Sequence, residues 1–439
     1  MAPSDYVAQN RARLIEYFHG GEKGLGNTSL LGVEVEHLVL ADDGNPISYE
    51  PVDGRIGVRE VVAQLEKDYP QAIYNERNDL LGLLGDEGSI TLEPAAQLEI
   101  SIAPYSRVRD VERAYRHFRS LVDSILASRD AHLEAHGYHT TRCAQDLTLI
   151  PKRRYDFMDA YFAHIKSDGN RMMRASSSTQ VSVDFASEAD AVRKMRVASA
   201  LSPILAAIAD NTQVFESEEN HIPIRRLQLW REVDNLRCGT IPGIFDDGFG
   251  FDAYADWLLR TPPIFVTRHA ADDPEGENLR PFFDTPASEI YADAPMLRDD
   301  IEHITSMFWP DVRLKLFVEI RPADSLPEEC ILGYTALIKG LFYSDESLGA
   351  IEGALCVSPE AADARGAWPL SKEDVDEGIA QIQAHGLDGL VYGKALWDWE
   401  AMLFSLARTA LPVGEQHYLD ALEAFAQDKA WWQVEPRSS

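Results

Sequence analysis

Four segments of this chain set carboxylates and amides inside apolar, strand-like runs. They are Gly32-Val-Glu34-Val-Glu36-His37, Ile90-Thr-Leu-Glu93-Pro-Ala-Ala-Gln97-Leu-Glu99-Ile100, Thr179-Gln180-Val-Ser182-Val-Asp184-Phe185 and Phe317-Val-Glu319-Ile-Arg321. A strand with period two puts residues i and i+2 on one face. Glu34 therefore shares a face with Glu36, Gln97 with Glu99, Gln180 with Ser182 and Asp184, and Glu319 with Arg321. Glu has poor strand propensity. Several Glu-bearing strands facing one space repel one another unless cations lie there. Hard oxygen donors, few cysteines and no histidine pair suit Mg²⁺, with Mn²⁺ as the alternative, rather than Zn²⁺.

Arginine accompanies the carboxylates. Arg174 lies just ahead of the Gln180 strand, Arg321 follows Glu319 on the same face, and Arg237 sits in the run from Trp230 to Gly239. Carboxylates that hold Mg²⁺, with guanidinium groups that hold oxyanions, are the equipment of phosphoryl transfer. The glycines of Gly20–Gly26 stand in the wrong order for a Walker loop. An ATP site without a P-loop, on a polar sheet face rich in Glu, points to a carboxylate–amine ligase of the glutamine-synthetase kind.

The elements that must position these residues are legible in outline. Helices are expected over 5–18, 57–67, 154–166, 252–259 and 293–308. A helix capped by Ser187 is expected from Glu188 to about Asn211. Strands with turns are expected from Ile73 to Ile102, the clearest turn being Gly85-Asp-Glu-Gly88. Residues 107–136 carry a long amphipathic pattern with Val111, Ala114, Phe118, Leu121, Ile125 and Leu126 on one face. Residues 312–321 read as the last acidic strand. Beyond it, residues 328–344, 371–385, 393–410 and 414–430 read as helices, with 353–369 as the linker candidate.

With 439 residues the chain can build a large core. Its net charge of -31 argues against a nucleic-acid or anionic-membrane partner, since both want basic patches. Cys143, Cys238, Cys330 and Cys356 are far apart, which fits a reducing compartment without disulfides. The first residues lack an apolar signal core, and no apolar run reaches the roughly 18 residues of a membrane span. The expected location is the cytoplasm.

The same residues carry a family resemblance. Gly32-Val-Glu-Val-Glu-His, Leu92-Glu-Pro-x-x-Gln97-Leu-Glu-Ile-Ser101, Met173-Arg-x-Ser-x-Ser-x-Gln180-Val-x-Val-Asp184-Phe and Leu314-Lys-x-x-Val-Glu319-Ile-Arg-x-Ala-Asp324 resemble glutamate–cysteine ligases of the plant and proteobacterial type. So do Leu229-Trp-Arg-Glu-Val-Asp234-Asn-Leu-Arg237-x-Gly239 and Phe245-Asp-Asp-Gly-Phe-Gly250-Phe-Asp-Ala-Tyr254. The similarity runs in order from about residue 5 to 345. It implies an α+β fold of the glutamine-synthetase type, with a curved antiparallel sheet forming an active-site funnel flanked by helices. It divides the chain into a catalytic domain, 1–345, and a helical C-terminal region, 346–439, packed on it.

The resemblance also implies an activity. ATP phosphorylates the γ-carboxylate of L-glutamate, and the amino group of L-cysteine attacks the acyl phosphate to give γ-glutamylcysteine. By position in the motifs, Glu34, Glu36, Glu99 and Glu319 resemble the metal ligands, with Glu93 and Gln97 as further candidates. Gln180 stands where metal or nucleotide phosphate is held. Arg174 and Arg321 would steady the phosphoryl group and the acyl phosphate, and Arg237 the glutamate α-carboxylate. The partners are therefore small molecules: ATP with Mg²⁺, L-glutamate, and L-cysteine or another amine. Ala95-Ala96 and Pro322 stand where the family usually has glycine, which keeps a ligase with a different acceptor in view. A non-catalytic relative that binds nucleotide or amino acid is the reading from another class. His37 is expected in the core, Cys238 as a buried filler, and Asp184 in a structural role.

Overall fold

The computed structural model describes residues 4–266, 280–356 and 366–432. The architecture is α+β, built on one antiparallel sheet. Its strands are β1 (Leu31–Ala41), β2 (Gln71–Tyr74), β3 (Leu80–Gly85), β4 (Gly88–Leu92), β5 (Leu98–Tyr105), β6 (Ala131–Glu134), β7 (Thr179–Val183), β8 (Val312–Leu314) and β9 (Val318–Ile320). Their order is β8-β9-β7-β1-β5-β4-β3-β2, with β6 paired to the second half of β1. Strand β1 is thus the hub. Its first half pairs with β5 and β7, and its second half with β6.

Alternation explains why β1 sits there. Val33 and Val35 are buried while Glu34 and Glu36 keep part of their surface open. From His37 onward every residue is buried. The apolar face packs against α1 (Val108–Ala127), whose Val111, Ala114, Phe118, Val122 and Leu126 are buried. Two more helices close the body: α2 (Glu188–Ile208), which the Ser187 hydroxyl caps by accepting from Asp190 N at 3.3 Å, and α4 (Glu328–Phe342). Between them in sequence lies α3 (Arg225–Val233). The C-terminal helices α5 (Lys372–His385), α6 (Leu396–Ala410) and α7 (Leu419–Gln427) pack on α2 and α4. Glycine makes that approach close. A Cβ on Gly340 would come within 2.7 Å of Ala407, and one on Gly333 within 2.6 Å of Leu422. Among the described residues no helix is long and apolar enough to cross a membrane.

Several expectations change in the folded chain. The amphipathic run 107–136 is one helix only to Ala127; Asp130 takes a left-handed conformation (φ 53°), and Ala131–Glu134 returns as β6. A helical stripe and a strand alternation can share one apolar pattern, so periodicity did not reveal the break. Residues 312–321 form a hairpin, β8 and β9, rather than one strand. The helix expected over 293–308 begins at Arg298, where the Asp300 carboxylate accepts from Leu297 N at 2.7 Å. Helices Gly169–Ala175, Arg225–Val233 and Asp345–Ala354 were not foreseen. Most of the linker candidate, residues 357–365, lies outside the described residues.

The turn between β4 and β5 carries Ala95-Ala96. It is closed by Glu93 N donating to Gln97 O at 2.9 Å and Ala96 N to Glu93 O at 3.0 Å. Ala96 is buried and left-handed, with φ 66°. That conformation costs an L-residue roughly 1–2 kcal/mol and glycine almost nothing. Ala96→Gly should therefore stabilise the protein by about 1 kcal/mol, after allowance for the freer unfolded chain. Denaturant unfolding tests this, and a loss of stability would show that the Ala96 methyl packs better than its backbone suits it.

Candidate active site

One open cleft collects most of the residues singled out from the sequence. Glu34, Glu36, Glu93 and Glu99 line it, with Gln97 and Gln180. Register brings them together. Glu36 stands opposite Glu99 across β1 and β5, and Glu34 stands opposite Gln180 across β1 and β7. Gln180 Nε2 donates to Glu36 Oε1 at 3.2 Å, and Gln180 Oε1 accepts from Arg321 Nη1. Glu99 Oε1 accepts from the hydroxyls of Thr91 at 2.9 Å and Ser101 at 2.8 Å. Gln97 faces the cleft with its amide already engaged, accepting from Ala95 N and donating to the carbonyls of Arg174 and Ser176.

The four glutamates crowd one another along the cleft. Burial, then the charge of Glu319, pushes Glu34 up to about 7. Burial, then Glu99, raises Glu36 to about 7, and burial, then Glu93, does the same to Glu99. Glu93 is shifted upward by burial and then by Glu36. Anions in this state favour a bound divalent cation. Among the described residues no three acidic, histidine or cysteine side chains converge into a ready-made metal cage. The donor set fits Mg²⁺, which usually takes one or two carboxylates and completes its shell with water and substrate phosphate.

Five cations line the same cleft: Lys152, Arg154, Arg226, Arg313 and Arg321. Arg154 is anchored by Ser306, donating to its hydroxyl at 3.0 Å and its carbonyl at 2.8 Å. Burial lowers the pKa of Lys152, Arg154 and Arg226 from the ordinary values. Arg226 and Arg321 each lie 5.9 Å from the Trp230 ring centroid, so one indole supports two guanidinium groups. Of these five, the sequence reading singled out only Arg321. Two signals were available: Arg313 and Lys315 alternate on one strand face, and Arg226 and Trp230 lie four apart on a helix face.

Glu319 has a different place from the other glutamates. It is fully buried and outside the cleft lining. Arg313 grips it with two bonds, Nε to Oε2 at 2.5 Å and Nη2 to Oε1 at 3.0 Å. Lys315 Nζ reaches Oε1 at 3.1 Å and Arg321 Nη1 reaches Oε2 at 3.2 Å. Burial alone would raise its pKa, but Arg313, Lys315 and Arg321 together hold it well below the ordinary carboxylate range. Its partners in the fold are these three cations, whose charge it balances.

Arg174 and Arg237 also stay off the cleft lining. Arg174 pairs with Asp159 at 2.5 Å and donates to Leu147 O at 2.9 Å. Arg237 is fully buried, bonded to Asp234 at 2.6 Å, the Tyr161 hydroxyl at 3.0 Å and Met307 O at 3.2 Å. Both guanidinium groups are bonded within the protein, although the buried Nε of Arg174 has no partner. His37 lies in the core as expected, with Nε2 2.8 Å from the Tyr115 hydroxyl, and burial lowers its pKa to about 3. Asp184 caps the backbone of Leu30, and Cys238 is buried with its thiol pushed upward by burial. Gln228 bonds Glu232 and Gln383, outside the cleft lining.

Residues 30–367 match the family model described as glutamate-cysteine ligase family 2. The chain belongs to this family. The chloroplastic glutamate–cysteine ligase B of Oryza sativa subsp. japonica is 32% identical over 321 residues, covering 73% of this chain and 62% of the relative. The ligase A of the same subspecies is 32% identical over 340 residues, covering 77% and 68%. The chloroplastic enzyme of Nicotiana tabacum is 34% identical over 277 residues, covering 63% and 53%. The chain thus spans between about half and two thirds of the length of these relatives. The 2.0 Å crystal structure of the glutamate–cysteine ligase of Francisella tularensis in complex with AMP shares the fold. Its TM-score is 0.52 at 12% identity, over 91% of this chain and 82% of that one. The chloroplastic names of these relatives overturn the cytoplasmic expectation.

Two substitutions separate the roles of the glutamates. Glu319→Gln leaves buried Arg313 and half-buried Lys315 without their counter-charge and should cost about 3–5 kcal/mol of stability. Glu36→Gln removes one of several crowded anions and should not destabilise the metal-free protein above pH 7. The unfolded Glu36 loses its proton near 4.5 and the folded one near 7, so its contribution to stability falls as pH rises through that window. Denaturation midpoints between pH 5 and 8, with a chelator present, test both. Equal losses for the two variants would rule out the division.

Proposed function

We propose that this chain is an ATP-dependent ligase that joins the γ-carboxylate of L-glutamate to the amino group of L-cysteine through γ-glutamyl phosphate. The observation that carries the reading is the cleft itself, where four glutamates on sheet strands and the β4–β5 turn face five buried or half-buried cations. The family and the names of its relatives support the same substrates. Residues 1–345 would form the catalytic body and 346–439 a helical region packed on it.

Glu34, Glu36, Glu93 and Glu99 are the residues that would hold Mg²⁺, which supplies charge neutralisation at the phosphate oxygens. Arg321 is oriented by Gln180 and Glu319 and presents its fork to an oxyanion. Arg226, Lys152 and Arg154 add positive charge in a site where burial strengthens it. In the first step a γ-carboxylate oxygen attacks the terminal phosphorus and ADP leaves. In the second the cysteine nitrogen attacks the acyl carbon, phosphate departs with the C–O bonding electrons, and the nitrogen gives up a proton.

The test is ADP release with Mg·ATP and L-glutamate, with each amino acid added in turn and the products weighed by mass spectrometry. Glutamate- and cysteine-dependent ADP with a γ-glutamylcysteine mass is expected. Preference for another amine would replace the acceptor, and no ADP under any condition would overturn the ligase reading. Arg321→Lys should lower kcat about 100-fold, since an ammonium cannot reproduce a bidentate fork. Wild-type turnover in that variant would remove Arg321 from the chemistry.

A further inference from the structure

Behind the cation wall lies a second buried cluster that the proposed chemistry leaves unused. It contains Asp210, Asp324 and Lys429, which are 1%, 4% and 6% exposed. Carboxylates in such surroundings need fixed donors. Asp324 Oδ2 accepts from Asn211 N at 2.8 Å and from the Thr212 hydroxyl at 2.6 Å. Asp210 Oδ2 accepts from two distant parts of the chain at once, Ile224 N at 2.7 Å and Trp432 Nε1 at 2.9 Å. Lys429 Nζ donates to the Asp210 carbonyl at 3.0 Å and lies 5.6 Å from the Trp432 ring centroid. The Trp431 carbonyl is 2.9 Å from His221 Nδ1. Three contacts thus fasten residues 429–432 to the segment that leads into α3.

Ile224 joins that segment to α3. It immediately precedes α3 and is left-handed, with φ 49°, a costly conformation for a β-branched residue. Its carbonyl accepts the helix bond from Gln228 N at 3.1 Å, and no side chain caps the helix at this position. The Asp210 carboxylate therefore holds Ile224 through its N–H. Two residues further on, Arg226 enters the cleft. Its hydrogen bond to protein is a long one, Nη1 to Ala323 O at 3.4 Å, and its buried Nε has no partner. The direction of this guanidinium is set by the helix that carries it.

We propose that Lys429 and Trp432 are positioning residues of the active site. Through Asp210 and Ile224 the C-terminal segment sets where Arg226 and Trp230 meet an anionic substrate. Only the kinetic part of the test rests on the ligase reading given above. Trp432→Phe keeps an aromatic ring and removes the indole N–H. With Arg226 acting on ground-state binding, Trp432→Phe should raise by about 5–10-fold the KM of whichever anionic substrate, ATP or glutamate, Arg226→Lys also raises. Its kcat should stay within about twofold. Because both changes act through one group, the double variant should be no worse than Arg226→Lys alone. Multiplicative effects, or a change confined to stability, would overturn the proposal. Amide hydrogen exchange on full-length Trp432→Phe tests the mechanical link without any turnover. Faster exchange at Ile224 and Gln228 with β1 unchanged supports it, and unchanged exchange at both overturns it. Should wild-type protein release no ADP, the ligase reading fails and the exchange experiment still decides the link. Lys429→Met serves as the second variant and is read in the same ways.

Discussion

Glu36 and Glu99 stand directly opposite each other across an antiparallel ladder, an arrangement that weakens an ordinary sheet. Most of the site follows from this repulsion. It is tolerable only because the pair opens onto a cleft whose other residues include Lys152, Arg154, Arg226, Arg313 and Arg321. The apolar face of the same strands supplies the compensating stability. Val33, Val35, Leu98 and Ile100 are buried in the common core, and apolar burial is worth about 25 cal/mol per Å². The sheet thus spends packing on one face to keep destabilised carboxylates on the other.

The cations need organisation of their own, because guanidinium groups repel as carboxylates do. Glu319 provides it. By gathering Arg313, Lys315 and Arg321 around one buried carboxylate, it fixes the cationic end of the cleft against the glutamate floor. Gln180 links the two, bonded to Glu36 on one side and Arg321 on the other. A neutral amide suits that position, since it donates to the anion and accepts from the cation at once. Trp230 complements it with a ring face shared by Arg226 and Arg321.

The helical C-terminal part takes a role in the site through this same economy of charge. Lys429 places an ammonium beside Asp210, and Asp324 acts electrostatically on both Asp210 and Arg226. A chain of buried polar groups therefore runs from residues 429–432 to the cleft wall. Low dielectric makes each link strong when satisfied and costly when broken, which is how a distant segment acquires influence over one arginine.

Much of this was legible in the sequence. Period-two alternation fixed which glutamates share a face, because side-chain direction in a strand is set by the backbone alone. The order of motifs was enough for the family, and the Glu34, Glu36, Glu93 and Glu99 set reached one cleft as the pattern implied. What alternation cannot decide is what lies across the strand. Glu319 shows the same local pattern as Glu36, yet its neighbour across the β8–β9 ladder is Arg313 rather than a glutamate, so one becomes a counter-ion and the other lines a cleft. Arg237 and Arg174, plain cations in the sequence, were claimed by Asp234 and Asp159 in the fold. Lys152, Arg154 and Arg226 were brought to the cleft by helices and loops far from the glutamate strands in sequence. Local backbone geometry is written residue by residue, whereas the partner of a charge depends on which distant segments pack together. Strand periodicity therefore sets the polar face and its carboxylates, whereas the packing of distant segments settles which charges line the cleft.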